Sequence, residues 1–204
     1  MKVNKKKFIY LISPNKIYPQ FYYDLKEVLK TGKVSFFQLR LKNYSLPQKI
    51  IIGKKIHQIC KKNSVKFLVN DDPILSKKLN ADGCHLGQKD MNLTDARKIV
   101  GNKIIGITCH NSIKLAKTAI KEKASYIAFG AFFSTATKKV KFTATTKILN
   151  KVKKLTKTPI VAIGGINFNN YKKLLLNNAN LLAISGYVWN NKKYNPTESI
   201  KKLK

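Results

Sequence analysis

Carboxylates are rare in this chain, and their placement is informative. Of 204 residues, nine are acidic and 41 basic, for a formal net charge of +32. Five of the nine acids, Asp71, Asp72, Asp82, Asp90 and Asp95, crowd into one short segment. Asp71 closes the run VKFLVND and Asp90 closes DGCHLGQKD. Each follows an apolar stretch of strand character, where a chain already so charged gains nothing from a solubilising group. Two carboxylates so placed suit Mg2+, a hard cation that keeps several waters and bridges one or two protein carboxylates to substrate phosphates. The structural reading of Asp71 is a helix N-cap, because Pro73 opens a helical stretch. Asp72 fits that role better.

The partners of such a cation are anions, and two groups of residues would bind them. In VSFFQLRLK, alternation with period two sends Gln38, Arg40 and Lys42 to one face. Arg40 is one of only two arginines, the other being Arg97. In a chain that otherwise uses lysine, a guanidinium points to a two-pronged contact with phosphate. The structural alternative is a salt bridge to a carboxylate on a neighbouring strand. Asn70 adjoins Asp71 at the end of its run. Thr108, in GITCH, offers a hydroxyl to an anion or else caps the following helix. The second group begins at residues 134–139, STATKK, where hydroxyls, backbone N–H groups and lysine charge come together. The glycines of a Walker loop are absent. Gly164 and Gly165 end one later apolar run, and Ser185 and Gly186 end another, and glycine lets a backbone N–H approach an oxyanion. One metal-assisted anion site and one monophosphate cradle suit the joining of two phosphorylated molecules with pyrophosphate as leaving group. Of the three histidines, His85 alternates inward as a structural or substrate-lining residue. His110 belongs to a loop, and His57 faces solvent on a lysine-rich helix.

The elements that must hold these groups follow from the hydrophobic pattern. Apolar runs at 8–13, 34–41, 66–70, 83–87, 103–109, 126–133, 160–166 and 181–185 read as strands buried on both faces. Helical segments lie between them near 20–31, 46–62, 73–80, 94–100, 112–123, 145–156 and 168–178, with a last near 196–203. Eight strand–helix units of about 25 residues each favour a compact (β/α)8 barrel over an open doubly wound sheet. The expected organisation is one domain spanning 1–204. In such a barrel the active site lies at the C-terminal strand ends, where nearly every polar residue named above falls.

Composition excludes several classes. No apolar run approaches the roughly 20 residues that cross a bilayer. The N-terminal FIYLIS is shorter than a signal-peptide core and is followed by Pro14, so a buried strand and a cytoplasmic protein are expected. Cys60, Cys84 and Cys109 are widely spaced and read as buried small apolar residues, with no zinc or disulfide pattern. A pI near 10.2 raises nucleic acid as a partner. The near absence of arginine and of aromatics interleaved with a basic stripe argues against it. Oligomeric state stays open, a homo-oligomer being compatible with the pattern.

Taken together, QLRLK, VND, ADGCHLGQKD, IIGITCH, FGAFFSTATK, VAIGGI and AISGYVW resemble thiamine-phosphate synthases in order and spacing over most of the chain. The resemblance implies a (β/α)8 barrel. It implies a transferase that joins a 4-amino-2-methylpyrimidine methyl diphosphate to a thiazole ethyl phosphate, giving thiamine monophosphate and pyrophosphate with Mg2+ as cofactor. By position, Gln38, Arg40, Lys42, Asn70, Thr108 and Lys138 would bind the pyrimidine diphosphate. Arg40, Lys42 and Lys138 would be catalytic, and Asp71 and Asp90 would bind the metal. Thr135, Thr137, Gly165, Ile184 and Ser185 would hold the thiazole phosphate. Departures are mild: Leu41 stands where the family commonly has an acid, Ala131 and Ser134 replace two loop prolines, and Asn180 replaces an acid before the last strand. The competing readings are a thiazole tautomerase-like barrel and a basic nucleic-acid-binding module. Asp71, Asp90 and Lys138 argue against the tautomerase, since isomerising a monophosphate needs no metal–pyrophosphate site.

Overall fold

Runs such as IYLI and VSFFQL are apolar at successive positions, so both faces of each strand need covering. The computed structural model, which describes residues 7–135 and 141–204, meets that need with a barrel inside a ring of helices. Its strands are β1 (Ile9–Ile12), β2 (Val34–Leu39), β3 (Lys66–Asn70), β4 (Gly83–Leu86), β5 (Ile104–Thr108), β6 (Tyr126–Gly130), β7 (Ile160–Ile163) and β8 (Leu181–Ile184). All neighbours pair in parallel and in sequence order, and β1 closes on β8 through Leu11↔Ile184. The (β/α)8 expectation is met.

Side chains divide by parity along each strand. Tyr10, Phe36, Leu68, Tyr126, Val161 and Leu181 fill the interior. Ile9, Leu11, Phe37, Phe67, Ile105 and Leu182 point outward into the helical layer. That layer is α1 (Phe21–Lys30), α2 (Leu46–Lys62), α3 (Pro73–Lys78), α4 (Leu93–Val100), α5 (Ile113–Lys121), α6 (Thr146–Lys153), α7 (Tyr171–Leu176), α8 (Gly186–Trp189) and α9 (Pro196–Lys202). Leu41, where the family commonly has an acid, lies buried in this outer layer, away from the barrel interior.

Helix starts are written locally. Asp72 Oδ1 accepts the Leu75 N–H at 2.8 Å, with Pro73 in the first turn. Ser45 and Asn195 form capping boxes with Gln48 and Glu198. Asn92 and Ser112 cap α4 and α5. Each cap is worth about 1 kcal/mol. Two features differ from the sequence reading. The four-residue helix α8 was not expected, because one turn leaves no periodicity to read; Trp189 anchors it by donating from Nε1 to Ile12 O at 2.6 Å. His57 does not face solvent: its ring stacks on Phe67 and Nδ1 lies 3.1 Å from Leu79 O. All three cysteines are buried and free. Among the described residues, no helix is long and apolar enough to cross a membrane.

Candidate active site

The loops that leave β2, β3 and β4 bring scarce charges together. Arg40 follows β2 directly. Its backbone N–H donates to Ser13 Oγ at 2.9 Å, and its Nη1 donates to Asn15 Oδ1 at 2.8 Å. Burial lowers its pKa, and the nearby Asp71 carboxylate opposes that shift. Lys42 Nζ lies 3.9 Å from Asp71 Oδ2. Asp71 adopts a left-handed backbone (φ 65°) and donates its N–H to His85 O at 2.8 Å. Aspartate tolerates this conformation better than most residues, and it turns the chain at the strand end. Asp90 is fixed by the Gly87 N–H, which donates to Oδ2 at 2.7 Å.

The two carboxylates meet. Burial, together with hydrogen bonding and repulsion from Asp90, pushes the Asp71 carboxyl up to about 6, against the pull of Lys42 and Arg40. Two acids held within reach of each other make a negative centre that Lys42 and Arg40 offset only in part and that a divalent cation would neutralise. Among the described residues, no cluster of three or more His, Cys, Asp or Glu is placed to hold a metal. A cation here would complete its shell with water and substrate oxygens, which is the habit of Mg2+ and not that of structural zinc.

Three uncharged groups line the interior beside these charges. Asn70 ends β3 in register with His85. Gln38 is buried and donates from Nε2 to Tyr10 Oη at 2.6 Å. Thr108 ends β5; its Oγ1 lies 2.8 Å from His85 Nε2, and its carbonyl accepts from Gln88 Nε2 at 2.5 Å. Thr108 is therefore not a helix cap, a role that Ser112 fills.

The second group sits across the mouth. Gly164 and Gly165 both have positive φ, 102° and 63°. A Cβ on Gly165 would lie 2.3 Å from Ser134 O, so only glycine admits the loop after β6 this closely. Phe132 and Phe133 donate their N–H groups to Ile163 O and Gly164 O at 3.1 Å, which lays that loop over the end of β7 and carries Thr135 there. Ser185 follows β8 and donates from Oγ to Ser13 O at 3.2 Å. The Ile184 side chain packs in the outer core, so its main chain is the part left for the mouth. Thr137 and Lys138 lie outside the described residues.

The structure also shows groups that the sequence reading did not single out. Tyr10 and Tyr126 place their hydroxyls 2.7 Å apart inside the barrel, and Tyr126 Oη lies 2.9 Å from His85 Nδ1. The signal was there: both are polar-tipped residues at inward positions of otherwise apolar strands, and Gly106 leaves an inward gap on β5.

Comparison with known proteins decides the family. The family model described as thiamine monophosphate synthase matches residues 9–188. This chain belongs to the thiamine monophosphate synthase family. Membership makes it a transferase of thiamine biosynthesis. A thiamine-phosphate synthase of Pelagibacter ubique (strain HTCC1062) is 67% identical, with all of both chains covered. One of Rhodospirillum centenum (strain ATCC 51521 / SW) is 40% identical over 89% of each chain. Among solved structures, a thiamine phosphate pyrophosphorylase from Pyrococcus furiosus superposes with a TM-score of 0.86 at 28% identity, covering 98% of this chain and 95% of that one.

Proposed function

We propose that the chain joins 4-amino-2-methyl-5-(diphosphooxymethyl)pyrimidine to a thiazole ethyl phosphate, releasing pyrophosphate and thiamine monophosphate. The observation that carries this reading is the meeting of Asp71 and Asp90 beside Arg40 and Lys42 in a chain of this family. Asp71 and Asp90 would hold Mg2+, which would supply positive charge against the diphosphate. Arg40, its guanidinium already held by Asn15, contributes a planar pair of donors and Lys42 a point charge, where negative charge grows on the leaving group. Lys138, from the sequence, would add a third cation. Thr108 supplies a hydroxyl, and Gln38 and Asn70 line the wall that faces the pyrimidine. Gly165, the main chain of Ile184, Ser185, Thr135 and Thr137 would hold the thiazole phosphate, so that its ring nitrogen meets the pyrimidine methylene as the carbon–oxygen bond loosens. Positioning and charge stabilisation suffice for such a dissociative substitution, and no general base is needed.

Small phosphorylated molecules are the partners this reading requires, in one domain working in the cytoplasm. A thiazole tautomerase would leave the paired carboxylates without a task, and a nucleic-acid module would leave the whole mouth without one. Asp90→Ala tests the proposal. It should lose at least about a hundredfold in turnover with Mg2+ present, a scale appropriate to removing a charged ligand from a transition state, while thermal unfolding stays near that of the parent. Near-normal turnover in Asp90→Ala would overturn the metal assignment.

A further inference from the structure

A chain of side-chain hydrogen bonds crosses the barrel interior beneath the charged cluster. Gln38 Nε2 donates to Tyr10 Oη at 2.6 Å. Tyr10 Oη and Tyr126 Oη are 2.7 Å apart. Tyr126 Oη and His85 Nδ1 are 2.9 Å apart, and His85 Nε2 and Thr108 Oγ1 are 2.8 Å apart. The five residues come from β2, β1, β6, β4 and β5. The rings lock the geometry: Tyr10 meets Tyr126 edge-on, and His85 stacks on Tyr126 with 13° between planes. Gly106 keeps the space open, because a Cβ there would lie 1.9 Å from Tyr126 Cζ.

Counting hydrogens gives the chain a direction. Each phenol has one O–H to donate. Tyr10 accepts from Gln38, so its own hydrogen goes to Tyr126. Tyr126 has then accepted, and its hydrogen goes to His85 Nδ1. That fixes the neutral tautomer of His85 with the proton on Nε2, which donates to Thr108 Oγ1. With the Gln38 amide nitrogen turned to Tyr10, any other assignment leaves a phenolic hydrogen without a partner in a fully buried site, a costly arrangement, whereas a reversed amide would run the chain the other way and place the His85 proton on Nδ1. Burial raises the pKa of both phenols well above the ordinary value, so both remain O–H donors. At the two ends, the Gln38 amide keeps its oxygen as an acceptor, and the Thr108 hydroxyl keeps its hydrogen as a donor.

We propose that Tyr10, Tyr126 and His85 are positioning residues that form a one-way relay, setting Gln38 as an acceptor and Thr108 as a donor toward the barrel mouth. Resting on the function proposed above, this assigns the acceptor to a hydrogen-bond donor on the pyrimidine, such as its amino group, and the donor to the diphosphate. A substrate with a keto oxygen in place of that amino group would meet the Gln38 oxygen with an acceptor and be rejected.

Two variants and two readouts test the relay. Tyr126→Phe keeps the ring over Gly106 and breaks the chain in the middle. Tyr10→Phe breaks it at the Gln38 end and leaves Tyr126 able to donate to His85. In the substrate-free protein, histidine 15N shifts should report the Nε2–H tautomer of His85 in the parent and in Tyr10→Phe, and a mixed tautomer in Tyr126→Phe. In turnover, both variants should lose roughly tenfold or more in kcat/KM for the pyrimidine diphosphate, the scale of one hydrogen bond to a substrate, with the KM for thiazole phosphate unchanged. An Nδ1–H tautomer in the parent would overturn the relay whatever the enzyme's activity. So would an unchanged tautomer and unchanged kinetics in Tyr126→Phe beside an active parent. An inactive parent with the expected tautomer pattern would instead count against the function, which keeps the two readings separable. Should Tyr126→Phe fail to fold, the parent tautomer and Tyr10→Phe still decide.

Discussion

Arginine 40 shows how a single residue type carries meaning in a biased composition. Only two of 41 basic residues are arginine, and this one is half-buried beside Asn15 and Asp71, where a fork of donors is held in place. Lysine preserves the charge but not the fork. Arg40→Lys should therefore fold normally and lose at least about tenfold in kcat/KM at saturating thiazole phosphate, equivalent to roughly 1.4 kcal/mol. Steady-state kinetics check this, and a fully active variant would show that position 40 supplies charge alone. Asp71 makes the complementary case, because its carboxylate is strained by Asp90 when no cation is present. Asp71→Asn relieves that repulsion. In chelator it should unfold slightly above the parent, by roughly 1–3 °C once solvent screening of a partly exposed pair is allowed for. The same variant should lose the thermal stabilisation that Mg2+ with inorganic pyrophosphate confers on the parent. A calorimetric scan that shows the parent and variant equally stabilised would remove Asp71 from the metal site. These residues were readable in the sequence because their types were rare and their positions lay at strand ends. Tyr10 and Tyr126 were not singled out, because a tyrosine in an apolar strand looks like core until its hydroxyl's partner on another strand is known.

At the scale of elements, glycine decides where loops may meet. Gly165 has φ 63°, and its missing Cβ is what allows Ser134 O to approach. Gly165→Ala should push the loop after β6 outward, moving Thr135 from the thiazole-phosphate side. The expected result is a KM for thiazole phosphate raised about tenfold, with the KM for the pyrimidine diphosphate changed far less, and stability lowered by roughly 1–3 kcal/mol from overpacking and left-handed strain. Equal effects on both substrates would mean that the mouth is not partitioned into two anion sites. The eight strands and the helices with apolar stripes were legible because burial on both faces and a 3.6-residue period leave strong patterns. The strands β2, β6 and β7 end two to three residues short of their apolar runs, as at β2, which ends at Leu39 while Leu41 stays buried in the outer layer. Burial continues past the last ladder bond, so hydrophobicity alone overshoots the strand. His57 was misread for the opposite reason: its lysine neighbours on α2 are exposed, yet its own position faces Phe67.

For the whole molecule, closure of the barrel is what turns distant sequence into one site. Closure of β1 on β8 brings Ser13 beside Ser185, and the Ser185 hydroxyl donates to the Ser13 carbonyl. Ser13 in turn holds the backbone of Arg40. One short path thus connects the residues proposed for the thiazole phosphate to those proposed for the diphosphate, and both sets share one rim. The strongly basic charge fits two anionic substrates, since a positive mouth raises their local concentration. The central claim is that this rim joins two phosphorylated molecules and releases pyrophosphate. The direct measurement is to incubate the purified protein with the pyrimidine methyl diphosphate and the thiazole ethyl phosphate, in Mg2+ and in chelator, and to quantify products by chromatography. Thiamine monophosphate and pyrophosphate should form in equal amounts with Mg2+ and fall to background in chelator. Absence of both products, or conversion of the thiazole alone without pyrophosphate release, would contradict the account.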